Sequence, residues 1–325
     1  MSFPLFHRPG RIVFLDDDPD YLEMLAMVLP RDWPVKLYLR PQVCINQLQQ
    51  EPPLWEADAW AQQEIVNNWR AGSPLIPQIL AYWASHGQRF GLTRVCVFDY
   101  AMPGMDGLQA LGELTDWPGG RVLLTGQADE HVAVSAFNRG LIDQFIAKQT
   151  PDISQHLVTV VQRMLDRPQL RHSQTWRAVL SQPQHALLQL PSVSRQLQSL
   201  ANQHWVEYVV IGQPFGILGM DAQGQVSWLQ LEFGAGLSEL AELAESQGLD
   251  GDAAAAIRSG RALVDFELQQ ALGLSGPPRL TEAFAIGHES ALLAALFTLP
   301  TATGPQAWTG YAKWLKNQGP RTVLD

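Results

Sequence analysis

Val95-Cys96-Val97-Phe98-Asp99 is an apolar run that ends on a polar side chain, and three further stretches repeat that plan. Ile12-Val13-Phe14-Leu15 runs into Asp16-Asp17-Asp18-Pro19, Val122-Leu123-Leu124 stops at Thr125, and Phe145-Ile146-Ala147 stops at Lys148. Val35-Lys36-Leu37-Tyr38-Leu39 supplies one more strand. Continuous apolar runs of this length suit strands buried on both faces of a parallel sheet. Helical spacing separates them: Tyr21, Leu22, Leu25, Val28 and Leu29 first, then residues 107–115, 129–139 and 152–165. The alternation predicts an α/β fold, a doubly wound parallel sheet of five strands.

Asp17 and Asp99 stand too far apart for two short crossovers and one strand. The surplus, about residues 50–93, holds helix-like runs at 53–70 and 74–86, broken by Gly72-Ser73-Pro74, and reads as a helical hairpin inserted after the second strand. Trp55, Trp69 and Trp83 are expected to pack that hairpin onto its own domain. The hairpin as a whole stays open as a partner or homodimer contact.

Residues 168–204, with Pro168, Pro183 and Pro191, read as helical connectors. From Trp205 the pattern turns to strands at 208–211, 216–220 and 226–230, the last two flanking Asp221-Ala222-Gln223-Gly224, a hairpin-turn signature. Helix is expected over 237–258 and strands over 261–268, 281–286 and 291–299. Gly216, Gly219 and Gly224 are read as turn glycines, and Asp250, Asp252, Asp265 and Glu267 as solvated surface.

The chain's 325 residues carry 22 basic and 32 acidic side chains, for a net charge of −10, and neither half is basic. That argues against a nucleic-acid surface. No apolar stretch is long enough for a membrane span, and the N-terminal residues do not resemble a secretory signal. The two cysteines cannot build a disulfide framework, so a cytoplasmic location is expected. The eight histidines show no ligand spacing, which predicts no transition-metal site. His172 reads as a surface residue, and Cys96 as a packed small hydrophobe.

In an open parallel sheet the carboxyl ends of the strands share one edge, where ligands bind. That places Asp16, Asp17 and Asp99 beside Thr125 and Lys148. Three carboxylates so placed call for a cation, and Mg²⁺ suits oxygen ligands of this kind. A carboxylate, a hydroxyl and an ammonium around the ion can bind the oxygens of a transferring phosphoryl group, with Asp99 as nucleophile. Asp18 and Asp20 read as a solvated turn or helix start.

Asp16-Asp17, the stretch Val97-Phe98-Asp99-Tyr100-Ala101-Met102-Pro103-Gly104-Met105-Asp106-Gly107, Leu124-Thr125-Gly126 and Lys148 resemble the CheY-like receiver domain of two-component response regulators, over about residues 10–167. The resemblance implies that Asp99 accepts a phosphoryl group from a sensor histidine kinase. It implies that Asp17 ligates Mg²⁺ directly, Asp16 mainly through water, and the Ala101 carbonyl as a further ligand with Asp99. Thr125 would bond the phosphoryl group and Lys148 would pair with one of its oxygens. Phe145 would be the aromatic that turns when Thr125 moves. Two departures stand out: Gln149 follows Lys148 where the family usually has proline, and the insertion is atypical.

Residues 205–325 resemble a PAS sensor domain in element order and in the Asp221–Gly224 turn. No residue there identifies a cofactor or an output enzyme. The reading is a bacterial phosphorelay protein that signals through altered contact with a downstream protein partner, without DNA or membrane binding, and whose receiver catalyses only its own phosphorylation and dephosphorylation. The alternative is a phosphorylation-tuned small-molecule sensor or enzyme in the C-terminal domain.

Overall fold

A computed structural model describes residues 2–126, 130–288, 292–300 and 308–325. In chain order the elements begin with β1 (Phe6–His7), β2 (Arg11–Leu15), α1 (Pro19–Val28), β3 (Val35–Tyr38), α2 (Pro41–Leu48), α3 (Pro52–Arg70) and α4 (Leu75–Ser85). Next come β4 (Thr93–Asp99), α5 (Gly107–Gly112), β5 (Gly120–Thr125), α6 (Glu130–Asn138), β6 (Gln144–Ala147) and α7 (Ile153–Leu165). Then follow α8 (Leu170–Arg177), α9 (Gln182–Leu188), α10 (Pro191–His204), β7 (Glu207–Gly212), β8 (Phe215–Met220) and β9 (Val226–Glu232). The chain continues with α11 (Leu237–Ser246), α12 (Gly251–Arg258), β10 (Ala262–Val264), α13 (Phe266–Leu272), β11 (Leu280–Glu282), β12 (Phe284–Ile286), β13 (Leu292–Thr298), α14 (Tyr311–Lys316) and β14 (Val323–Leu324). The predicted helix at 129–139 begins one residue outside the described residues, and the predicted strand at 291–299 likewise.

Two compact units emerge, and neither is continuous in sequence. One comprises Pro9–Asp58, Gln88–Arg167 and Trp314–Asp325. Its sheet runs β14-β3-β2-β4-β5-β6, and every pairing in it is parallel. Side chains alternate faces along each strand. Ile12, Phe14, Val95, Val97 and Val122 pack against Leu22 and Leu25 of α1 and Leu157 and Val161 of α7. Val13, Leu15, Cys96, Phe98 and Leu123 face Cys44 of α2, Leu111 of α5 and Ala133 of α6. Each fully buried Leu, Ile or Phe contributes about 1.5–3 kcal/mol, so this two-sided layer is what holds the strand ends in place. Cys96 is a packed small hydrophobe, as expected.

The sheet has six strands where five were expected. The sixth, β14, has only two residues and therefore no periodicity to read. The Leu39 N–H donates to the Leu324 carbonyl at 3.0 Å, and Arg321 donates to the carbonyls of Ala26, Leu29, Pro30 and Trp33. A cationic side chain on the last carbonyls of a helix satisfies groups that have no partner within the helix. Here it anchors the tail to α1.

Glu51 is buried with its carboxylate accepting from the Thr93 N–H at 3.0 Å, the Thr93 hydroxyl at 2.6 Å and the Trp117 indole N–H at 3.3 Å. It ties the stretch before α3 to the start of β4.

The other unit contains the residues up to Arg8, Ala59–Gly87 and Pro168–Lys313. Its antiparallel sheet runs β1-β7-β8-β9-β13-β12, with β10 and β11 forming a separate pair. The segment read as a hairpin inserted in the receiver is helical, but its residues 59–87 group here. Ile76, Ile79 and Trp83 of α4 share one core cluster with Val209, Val210 and Leu229. Trp83 is buried and Trp69 packs against this cluster. Pro183 and Pro191 stand in the first turns of α9 and α10, where proline's missing N–H costs nothing.

Several other expectations need correction. The 261–268 run is a strand followed by a helix, and 281–286 splits into strands belonging to two different sheets. Asp265 is fully buried, accepting from the Arg279 N–H at 2.7 Å, the Arg279 Nε–H at 2.6 Å and the Gln269 amide at 2.9 Å. His172 is buried too, stacked on Phe6 with ring centres 4.7 Å apart. Gly216 and Gly219 lie inside β8 rather than in turns. At Gly219 a Cβ would sit 2.3 Å from the Trp205 ring, so the indole fills the space a side chain would need. Gly224, with φ of 96°, is the turn glycine expected.

Candidate functional site

Four strands of the parallel sheet end together. Asp16 follows β2, Asp99 closes β4, Thr125 closes β5, and Lys148 follows β6. The register sets this edge, pairing Leu15 with Phe98, Asp99 with Leu124 and Thr125 with Ala147. Behind Asp99 the chain turns closely enough that a Cβ on Gly107 would lie 2.2 Å from the Asp99 carbonyl oxygen. Only glycine permits that approach. Asp106 then caps α5 by accepting from the Gln109 N–H at 2.8 Å.

Carboxylate oxygens of Asp16, Asp17 and Asp99 all lie within 4.8 Å of one another. Asp16 and Asp99 are buried, whereas Asp17 is exposed. The Lys148 ammonium bridges the buried pair, 2.8 Å from Asp16 Oδ2 and 2.7 Å from Asp99 Oδ1. Burial raises the Asp16 carboxyl above the usual range, against the pull of the Lys148 hydrogen bond. Burial alone would lower Lys148, but its bonds to Asp16 and Asp99 outweigh it and hold the amine above its ordinary value. The ammonium therefore stays charged and neutralises part of the cluster.

The remaining site residues fall around this core. Ala101, which is exposed, donates its N–H to Asp99 Oδ2 at 3.1 Å. Thr125 is fully buried with its hydroxyl unpartnered, and its carbonyl accepts from the Lys148 N–H at 2.8 Å. Phe145 is half-buried on β6 and packs on the cluster containing Leu15 and Phe98. Asp18 caps α1 by accepting from the Asp20 and Tyr21 N–H groups at 3.0 and 3.2 Å, so the helix-start reading holds.

Tyr21 was missed as a site residue. Its ring lies 4.8 Å from the Lys148 ammonium, and its buried hydroxyl has no partner. The available signal was spacing: Tyr21 stands one helical turn beyond Asp17.

Three close carboxylates, of which Lys148 engages two, form a donor set suited to a hard divalent cation.

The chain is similar to the Legionella pneumophila response regulator LqsR, with a TM-score of 0.69 and 22% identity over 97% of both chains. It has the fold of a response regulator. That likeness spans both units. Smaller matches include the BeF3-activated DrrB receiver domain (TM-score 0.32, 17% identity, 49% of this chain and 99% of that one). A receiver domain protein from Clostridium thermocellum matches with a TM-score of 0.31 and 16% identity, over 49% of this chain and 95% of its own. No protein-family model matches the sequence, and no curated protein does. No helix among the described residues is long and apolar enough to cross a membrane.

Proposed function

We propose that this chain is a phosphorelay response regulator that accepts a phosphoryl group on Asp99. The observation that carries the reading is the Lys148 ammonium held between Asp16 and Asp99, with Asp17 alongside. An Asp99 carboxylate oxygen attacks phosphorus, a P–O bond forms as the P–N bond to the kinase histidine breaks, and an acyl phosphate results. Lys148 pairs with a phosphoryl oxygen, Thr125 donates its hydroxyl to another, and the Ala101 N–H orients Asp99. Asp16, Asp17, Asp99 and the Ala101 carbonyl would hold Mg²⁺, which when bound neutralises charge on the transferring group. Water attack on the acyl phosphate restores the carboxylate.

In this reading Thr125 and Phe145 move together and shift a two-state equilibrium of the receiver unit. The receiver comprises the segments around 10–58, 88–167 and 314–325, and the output is the PAS-like region from 205, with the helices of 168–204 packed in its core as a connector from the receiver. That output acts on a protein partner in the cytoplasm rather than on DNA; the net charge of −10 supports this. The test is incorporation of phosphate from acetyl phosphate with Mg²⁺, followed by intact mass and alkaline lability. Wild type gains one labile phosphoryl group and Asp99→Asn gains none. Labelling that persists in Asp99→Asn would mean another acceptor.

A further inference from the structure

Beside β8, β9 and α13 lies a cavity of about 570 Å³, within the roughly 300–1,000 Å³ range of small-molecule sites. Its apolar wall includes Pro214, Phe215, Leu231 and Phe233, and the two phenyl rings stack with centres 5.8 Å apart. Its polar wall carries Glu232 and Glu267 together with glutamine amides, and among the described residues no lysine, arginine or histidine lines it. Glu232 is half-buried and has no cationic partner among the described residues. Burial pushes its carboxyl up to about 7, opposed by the Gln230 hydrogen bond and reinforced by Glu267.

Gln230 supplies a second, separate observation. It lies two residues before Glu232, on the same face of β9, and is only 1% exposed. Its Nε2 donates to Glu232 Oε1 at 2.9 Å, while its own Oε1 is buried without a partner. Buried polar atoms are almost always hydrogen-bonded, and buried carboxylates are almost always paired. Gln230 thus holds Glu232 from behind, and the carboxylate that lines the cavity lacks a counter-ion.

We propose that this cavity binds a protonated amine bearing an apolar body, with Glu232 as its counter-ion. An ammonium group supplies the positive charge that Glu232 lacks, and its N–H groups can donate to the Glu232 carboxylate. The phenyl pair receives the apolar part and interacts favourably with the cation. An anion would be repelled by both carboxylates, and a neutral ligand would leave Glu232 uncompensated. A bare metal ion would find apolar walls where it needs six or more oxygens.

The test uses the full chain and a panel of alkyl- and arylalkylammonium salts, each matched with its alcohol, read by saturation-transfer NMR and calorimetry. Expected is saturable binding of ammonium salts, at least tenfold weaker binding of the alcohols, and a tenfold loss in Glu232→Gln. Should that variant fail to fold by circular dichroism, Glu267→Gln at the rim replaces it, with a smaller loss expected. Absence of ammonium binding, parity with the alcohols, or full affinity in the folded Glu232→Gln protein would each overturn the proposal. Asp99→Asn binds amine as wild type does, so this result stands apart from the phosphorylation test.

Discussion

The Tyr21 ring lies 4.8 Å from the Lys148 ammonium, on the amine that also bridges Asp16 and Asp99. A cation over an aromatic face gains about 0.5–2 kcal/mol, depending on desolvation. The ring thus helps fix a flexible four-carbon side chain where the phosphoryl oxygens would arrive. The phenol oxygen adds nothing to this, because it is buried without a partner. Tyr21→Phe is therefore expected to keep both stability and labelling rate, while Tyr21→Leu loses about 1 kcal/mol and phosphorylates more slowly. Urea titration and acetyl phosphate time courses check this; equal losses in the two variants would transfer the role to the hydroxyl.

Replacing Lys148 by Met leaves Asp16 and Asp99 facing each other and Asp17 without a cation. Removing one partner of a buried ion pair typically costs 3–5 kcal/mol; with Lys148 partly exposed, about 2–3 kcal/mol is expected. Mg²⁺ should recover more stability in this variant than in wild type, since it replaces the lost charge. Urea midpoints with and without Mg²⁺ decide the matter, and an unchanged Mg²⁺ effect would count against the carboxylates as its ligands.

Glu51→Ala would leave the Thr93 N–H, the Thr93 hydroxyl and the Trp117 indole N–H buried without their acceptor. Unsatisfied donors cost roughly 1–3 kcal/mol each and do not add fully, so a loss of about 3 kcal/mol is expected. Thermal melting measures it, and a loss near zero would mean that water replaces the carboxylate.

Glu232 makes stability depend on pH in a definite direction. Its folded carboxyl titrates at about 7 and its unfolded one near 4.5, so between those values the folded chain holds more protons. Stability therefore falls as pH rises across that window and levels off above it. Glu232→Gln removes this dependence, and its stability relative to wild type should be greater at pH 8 than at pH 4.5 by about 3 kcal/mol. Paired urea titrations at both pH values check it; a pH-independent difference would place the carboxylate in water.

The site was legible because its chemistry sits at strand ends, and apolar runs such as Val95–Phe98 reveal where strands end. The core layers were legible for the same reason. Elements whose existence depends on distant partners were not. β1 and β14 have two residues each and form only because β7 and β3 offer them free edges. α4 has an ordinary helical pattern, and nothing local says which of two cores its apolar face joins. Asp265 looked like surface because its partner Arg279 lies fourteen positions away.

Since β14 completes the parallel sheet from beyond residue 320, the order of synthesis matters. A ribosome that has just released Arg167 has produced five of the six strands, but β3 still lacks its outer neighbour and the last carbonyls of α1 still lack Arg321. That edge stays open to foreign strands until translation has passed through the whole intervening unit. The two units are thus interlaced along the gene, and the antiparallel unit could not be exchanged by one crossover without also removing a strand from the parallel sheet.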